Sequence, residues 1–339
     1  MQTQPSYDDQ TDDQTPTSED AQKPASPKCG LLNWIDESKL DWYKLCENPN
    51  TITYLEEHIE QIYNKPDCWE ILCRNPNAMP LLEKYPEKIH WDSYDFTMNP
   101  NAVPLFEKYP EKIYWNFVLQ NKNPAVIPLI EKYPEKINCN ISSNPNAIKI
   151  IEQEYKRAHY NVCWYSISGN ANAAHILEEN LDKVKWDYVS ENPGAIRLLE
   201  QHPDKINWDK LSKNPYAGIL LAQNPEKINW VNITLNPSCI LLLEQNPDKV
   251  YWDKLCWHSH GAPLLAKNPD KIYWYAFSSN SNPVAIRILE KNLDKVNWSM
   301  LSRNKNPDVM RILEKNIDKV DWYEISSNPN IFTQKSAPV

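Results

Sequence analysis

Glycine is nearly absent, with five residues in a chain of 339. That shortage leaves little room for a glycine-rich phosphate loop or a G-x-S-x-G nucleophile elbow, and neither occurs. No H-E-x-x-H run or zinc-type cysteine spacing is present, and the eight cysteines include no C-x-x-C pair. Free thiols in a reducing compartment are therefore expected rather than a disulfide framework. No apolar run reaches 18 residues and the N-terminus has no apolar signal region, so a soluble, non-secreted, cytoplasmic protein is expected. The N-glycosylation patterns at Asn140, Asn232 and Asn297 then carry no meaning. Positive charge is also short. The net charge is −9, of which −4 lies in residues 1–29, where Asp8, Asp9, Asp12, Asp13, Glu19 and Asp20 face two lysines. The body, at about −5, is poorly suited to neutralising a phosphate backbone. Neither nucleic acid nor membrane is expected as a partner.

Proline and tryptophan are abundant, at 28 and 14 residues, and both recur at intervals. A phrase of the form W-D-x-L-S-x-N-P-x-A-I-x-L-L-E-x-N-P-D-K-I-x-W is repeated thirteen times. Its Asn-Pro anchors fall at Asn48, Asn75, Asn99, Asn123, Asn144, Asn192, Asn214, Asn236, Asn282, Asn306 and Asn328, with degenerate copies at Asn170 and His258. The spacing is mostly 22 or 24 residues, the size of one stacked supersecondary unit. In the copy from Asn192 to Trp208, Asn192 suits an N-cap and Pro193 a first helical residue. Ala195, Ile196, Leu198 and Leu199 follow at helical spacing, and Pro203 stops the run. This predicts a helix B of about ten residues. Asn207 then caps a shorter helix A carrying Trp208 and Leu211. Neither helix is long enough to persist alone, so stacking must supply stability. The recurring Trp is the expected buried keystone, and Lys205 is placed to favour the end of helix B.

The fold class expected is an all-α helical-repeat solenoid of about 13 units, extending about 100–130 Å at 8–10 Å per layer. Residues 1–29 read as a disordered acidic tail, 30–38 as an N-terminal cap, 39–138 as a first sub-array, 139–169 as an irregular break, and 170–339 as a second sub-array whose last unit is incomplete.

Departures from the phrase carry the functional expectations. In 139–169, Cys139 stands where Trp is expected, Tyr155-Lys156-Arg157-Ala158-His159-Tyr160 replaces N-P-D-K, and Gly169-Asn170-Ala171 replaces Asn-Pro. A bend is one reading and a drifted, normally packed copy the other. Pro80, Pro104 and Pro128 imply a later helix B start in their copies. At that place Lys149, Arg197, Arg287 and Arg311 form either a solvated face or a basic stripe for an acidic partner. Before the Trp, where Asn or Asp can cap, stand His90, Tyr114, Tyr251 and Tyr273. Exposed tyrosine is enriched at protein contacts, so these are binding candidates, with local packing as the alternative. The Trp-to-Asn spacing lengthens from six to eight after Trp91, Trp115, Trp274 and Trp298, and insertions in solenoids collect at one edge. The last unit breaks off after Ile331 and Phe332, which leaves an apolar layer expected to be uncapped and open to homo-oligomerisation or docking. Cys256-Trp257-His258-Ser259-His260 is the densest group of possible metal ligands, but a polar turn is the better reading. No metal, cofactor or catalytic residue is expected. The Glu of L-L-E and the Lys of P-[DE]-K form ladders that read as solvated charge and end-of-helix pairing.

Leu211-Ser212-Lys213-Asn214-Pro215 and Asn192-Pro193-Gly194-Ala195-Ile196-Arg197-Leu198-Leu199-Glu200 resemble the tandem repeat of uncharacterised proteins of large nucleocytoplasmic DNA viruses, over residues 39–332. The resemblance implies a virus-encoded helical-repeat protein, in the host cytoplasm or the virion, and gives no activity. The function expected is a protein-interaction scaffold or adaptor with a protein partner. The alternative is a structural component packing through its C-terminal end. No enzymatic activity is expected.

Overall fold

A computed structural model describes residues 30–158 and 162–333. The acidic tail and residues 159–161 lie outside it. Among the described residues all regular elements are helical, and a single isolated bridge pairs Leu31 with Phe332. Each unit has the same parts. A short helix A, such as Trp208–Leu211, leads through a buried Asn into a second segment, and a 3-10 turn such as Pro203–Lys205 links to the next unit. Helix B is shorter than expected because it splits. Asn192 Oδ1 accepts from the Gly194 N–H and starts a 3-10 turn, Pro193–Ala195, before the α-helix Ile196–Gln201. The copies with Pro80 and Pro104 start helix B at the same register, Met79–Lys84 and Val103–Lys108, with proline in the first turn where no N–H is needed. The later start expected in these copies is present, with proline in the first turn, and it is not peculiar to them: most units delay the α-helix, whereas Pro283–Glu290 begins directly after Asn282.

The anchoring Asn is the joint between units. Asn192 Nδ2 donates to the carbonyls of Ser168 (2.9 Å) and Asn170 (3.0 Å), one unit back. Asn214 does the same to Ser190 and Asn192, and Asn236 to Ser212 and Asn214. The ladder passes unbroken through the irregular stretch, where Asn144 reaches Leu119 and Asn121, and Asn170 reaches Ser142 and Asn144. A hydroxyl two residues earlier forms a second joint. Ser190 Oγ donates to the Trp186 carbonyl of its own helix and accepts from the Asn207 N–H of the next unit. Ser142, Ser168, Ser212, Ser278 and Ser302 accept likewise, and Cys256 Sγ substitutes at 3.3 Å from the Tyr273 nitrogen. Between these joints runs one continuous apolar core in which Leu45, Leu72, Val189, Leu211, Leu255, Leu301 and Ile325 are wholly buried.

The ladder does not stop at the last unit. Asn48 Nδ2 donates to the carbonyls of Ser326 (3.2 Å) and Asn328 (2.8 Å), and the Asp41 N–H to Ser326 Oγ at 2.9 Å. Lys39 sits 5.0 Å from the Trp322 ring centroid, as Lys227 sits 4.6 Å from Trp208. Asn50 bonds Pro329 as Asn77 bonds Pro49. The junction between the last and first units thus repeats the internal junctions in all four kinds of contact. An operator that returns to its start after thirteen applications describes a closed ring, at about 28° per unit. The extended array expected from the sequence is corrected accordingly. The last unit is completed by the other end of the chain: Leu31 and Ile35 are buried beside Ile331 and Phe332, the Leu32 N–H donates to the Ile331 carbonyl at 2.9 Å, and Phe332 lies 5.8 Å from Tyr54. Gly30, at φ 75°, takes the left-handed turn at this seam. The apolar end expected to be open is covered by residues 31–54, so the chain offers no uncapped layer there for homo-oligomerisation.

Two further sequence readings are corrected. The recurrent Trp is half-buried in most units, with Trp69 the fully buried exception. Its outer face carries a lysine from the next P-[DE]-K turn, as with Lys249 over Trp230 at 4.7 Å and Lys319 over Trp298 at 5.0 Å. Those lysines are joints between units rather than free solvated charge. Cys139 stands at the first position of its helix A, the Trp place, with Asn138 as N-cap, and is exposed; the step from there to Asn144 is one residue shorter. The helix A of that unit is drawn out into the 3-10 helix Cys139–Ser143, whose greater rise spans the gap with fewer residues.

Closure makes a direct prediction. Asn48→Ala and Asn192→Ala each remove two interunit donors from a buried amide and orphan two carbonyls, at a cost of about 2–4 kcal/mol. Equal drops in urea midpoint for the two variants are expected from a closed ring. A near-silent Asn48→Ala beside a costly Asn192→Ala would mean an open array.

Candidate binding face

The ring brings the exposed side of helix A in consecutive units onto one concave surface. A cavity of about 420 Å³ is lined by Tyr94, Gln120, Lys122, Tyr165, Ser166 and Tyr188, among others, drawn from five consecutive units. Five neighbours can share one cavity of that size only where their surfaces converge, which places the A side on the inside of the curve. Direct packing of successive A helices agrees with this. Tyr94, Tyr165 and Tyr188 are 53%, 56% and 48% exposed. Their ring neighbours are other aromatics on the same face: Tyr165 meets Tyr188 edge-on at 5.6 Å, and Tyr94 meets Phe117 at 5.2 Å.

A second concave cavity, about 260 Å³, lies between Trp257, Ser279, Ser281, Arg303 and Lys305, from three consecutive units. Lys122, Ser281 and Lys305 share an origin. In Asn121-Lys122-Asn123-Pro124, Asn280-Ser281-Asn282-Pro283 and Asn304-Lys305-Asn306-Pro307, the buried ladder residue is the first Asn, not the one before proline. The anchors read at Asn123, Asn282 and Asn306 are thus two residues late. These asparagines hold the outer position of their units and bond backward as Asn77 does to Pro49, Asn282 to Ser259 and Asn306 to Ser281. The long spacing after Trp91 is different: there the extra residues precede helix A, Tyr94–Thr97, which Ser93 caps. Lys122, Ser281 and Lys305 therefore stand where most units have proline, and each lines a concave cavity.

The residues singled out from the sequence lie elsewhere. Tyr114, Tyr251 and Tyr273 are exposed at the cap position and make no capping bond, whereas Asn207, Asn229 and Asn297 do cap there. Tyr114 packs on Phe117 at 4.9 Å and Tyr273 lies 6.0 Å from Tyr275. His90 lines a separate hollow of about 240 Å³ with Tyr63, Trp69 and Lys88. Arg197, Arg287 and Arg311 are exposed on helix B, and none lines either concave cavity. Arg311 pairs with Glu290 of the preceding unit at 3.1 Å, and Lys84 with Glu56 at 2.8 Å, so some of these helix B carboxylates serve ion pairs between units. Ile331 and Phe332 are buried at the seam. The chain thus disperses the nine candidates, and the concave tyrosines went unnoticed because they fall at ordinary variable positions of helix A.

The degenerate copy at His258 is the weak joint. A ladder Asn is missing there, so the carbonyls of Thr234 and Asn236 lose the interunit donor they would otherwise receive. His260 Nε2 approaches the Thr234 carbonyl only at 3.4 Å. The outer Asn is also replaced over four consecutive units, at Gly194, Tyr216, Ser238 and His260. At Gly194 a side chain would have no space, since a Cβ would fall 1.8 Å from the Ala171 carbonyl oxygen. Burial lowers the pKa of both His258 and His260, with the neighbouring imidazole adding to the effect at His260 and the Thr234 carbonyl opposing it. Among the described residues no cluster of three or more His, Cys, Asp or Glu could hold a metal. The described cysteines are free thiols. Burial raises the Cys73 thiol to about 11, which leaves it protonated and unreactive at neutral pH.

No protein-family model, curated protein or solved structure matches the chain. No described helix is long and apolar enough to cross a membrane.

Because the folded ring binds fewer protons at His258 and His260 than the unfolded chain, stability is complete above the ordinary histidine value of 6.5 and declines as pH falls through it. His258→Asn should supply the missing ladder rung, adding about 1 kcal/mol at neutral pH, and flatten the acid decline. Urea melts of both proteins between pH 7.5 and 5.5 measure each effect. An unchanged midpoint at pH 7.5 would show that the rung does not form.

Proposed function

We propose that the protein is an interaction ring whose concave face holds a segment of a protein partner. The observation that carries this reading is the aromatic lining of one cavity by five consecutive units, with Tyr94, Tyr165 and Tyr188 exposed on it. Tyrosine offers large contact area at small entropic cost together with a hydroxyl for hydrogen bonding, which suits a peptide backbone. Single-stranded nucleic acid also stacks on aromatics, but such sites need a basic track, and this cavity has Lys122 in its lining and Lys185 over the Tyr165 ring, too few for one. The repeated residues are consumed by joints between units, which supports a scaffold over a catalyst. A virus-encoded protein acting on a host protein or a virion component, in the host cytoplasm or the particle, is the setting that the sequence resemblance suggests. The alternative role as an assembly component docked through Ile331 and Phe332 has lost its motive, since both side chains are buried.

Selection of a random peptide display library on the immobilised protein tests the reading. Enriched peptides should lose at least about tenfold in affinity, or 1.4 kcal/mol, on Tyr165→Ser/Tyr188→Ser and keep it on Tyr251→Ser. Peptides indifferent to the concave pair, or no enrichment at all, would overturn it.

A further inference from the structure

The second concave cavity differs from the first in charge and in its arrangement. Trp257, 47% exposed, forms one end, with its ring edge-on to Tyr275 at 5.9 Å. Ser279 and Ser281 lie in the middle unit, and Arg303 and Lys305 supply two cations from the next. Lys305 has no carboxylate within salt-bridge distance among the described residues, and its backbone carbonyl is fixed by Asn330 at 2.9 Å. Arg303 meets Glu324 through Nε at 4.0 Å, a contact that steadies the guanidinium and leaves its terminal nitrogens uncommitted. Three features of the sequence coincide at this cavity: the missing ladder Asn at 258, and the replacement of the following proline by Ser281 and by Lys305 in the next two units. In most units the residue after the ladder Asn is proline, which has no donor. Here it is Ser259, Ser281 and Lys305 in succession.

We propose that this cavity is a phosphopeptide site: Arg303, Lys305 and the Ser281 hydroxyl hold the phosphate of a phosphorylated side chain, and Trp257 packs an aromatic residue beside it in the peptide. Two cations with several N–H and O–H donors suit a dianion bearing three acceptor oxygens better than a carboxylate, and arginine with lysine is the recurrent pairing for phosphorylated segments. The aromatic wall favours a ring or an apolar neighbour over free phosphate. Glu324 opposes the anion and sets a threshold against singly charged acidic peptides. The inference rests on the concave face being the binding face, and it adds a ligand class at a second place on that face.

The test is calorimetry with phosphoserine tetrapeptide amides carrying Phe one or two residues ahead of the phosphate, their unphosphorylated forms, the same phosphopeptides with Ala for Phe, adenosine monophosphate and inorganic phosphate. The phosphorylated Phe peptides should bind at least tenfold more tightly than every other probe. Arg303→Gln and Lys305→Gln should each weaken them about tenfold, Trp257→Ala should abolish the advantage of Phe over Ala, and Glu324→Gln should tighten binding severalfold. A gain from Glu324→Gln cannot arise from misfolding, so it separates ligand recognition from structural damage. Equal binding of phosphorylated and unphosphorylated peptides, a preference for adenosine monophosphate, or binding that survives loss of both cations overturns the proposal. The Tyr165→Ser/Tyr188→Ser protein should bind these probes normally, so failure of the tyrosine face and failure of this site are separately visible.

Discussion

A buried primary amide carries the architecture. The ladder Asn has two N–H donors and one oxygen, and the joint uses all of them: both donors on carbonyls of the preceding unit, the oxygen on its own next turn. Aspartate would lack the donors and serine would supply one. Because the amide is rigid and its three bonds are short, each joint fixes the same translation and rotation between units. Helices of four to six residues, too short to hold themselves, are ordered by that joint and by the apolar core it draws together. Repeating one fixed operation would give an open helix in general; here thirteen steps bring Asn48 back to Ser326 and Asn328, and the array closes.

Much of this was legible in the sequence. The period, the short helix pairs, the Asn-Pro start and the capping Asn at 207, 229 and 297 all follow from residue chemistry. The ladder register was hidden where N-x-N-P offers two asparagines, and proline drew attention to the wrong one. The Ser of L-S-x-N, or the Thr or Cys that stands there in other copies, was visible, yet its double duty between units depends on a neighbour that no local reading supplies. Tryptophan misled in the other direction. Its size suggests a core, but its place at the first position of helix A sets it at the edge, where lysine covers it.

Closure was written in the chain as two incomplete units. Residues 30–42 hold the end of a unit without its beginning, and residues 322–332 hold a beginning without an end. Each looked like a ragged terminus by itself, because the contacts joining Asn48 to Ser326 and Asn328 span about 280 positions and leave no local pattern. The concave sites were hidden for a related reason. Tyr94, Tyr165 and Tyr188 are ordinary surface residues in three separate copies, and only curvature makes them neighbours. Lys122, Ser281 and Lys305 were the part of the site that could be seen, since the N-x-N-P runs that hold them break the Asn-Pro spacing.

An open solenoid can lengthen or shorten by whole units, and its family can explore binding surface by changing how many it has. A ring of thirteen has no such freedom: one unit more or fewer would change every joint by about two degrees at once, against an amide geometry that fixes each of them. Diversity in a closed array must therefore be accommodated inside the unit. The residues at 122, 281 and 305, which replace the proline of other units, are variation of that kind, made without altering the count and directed toward the space the ring encloses.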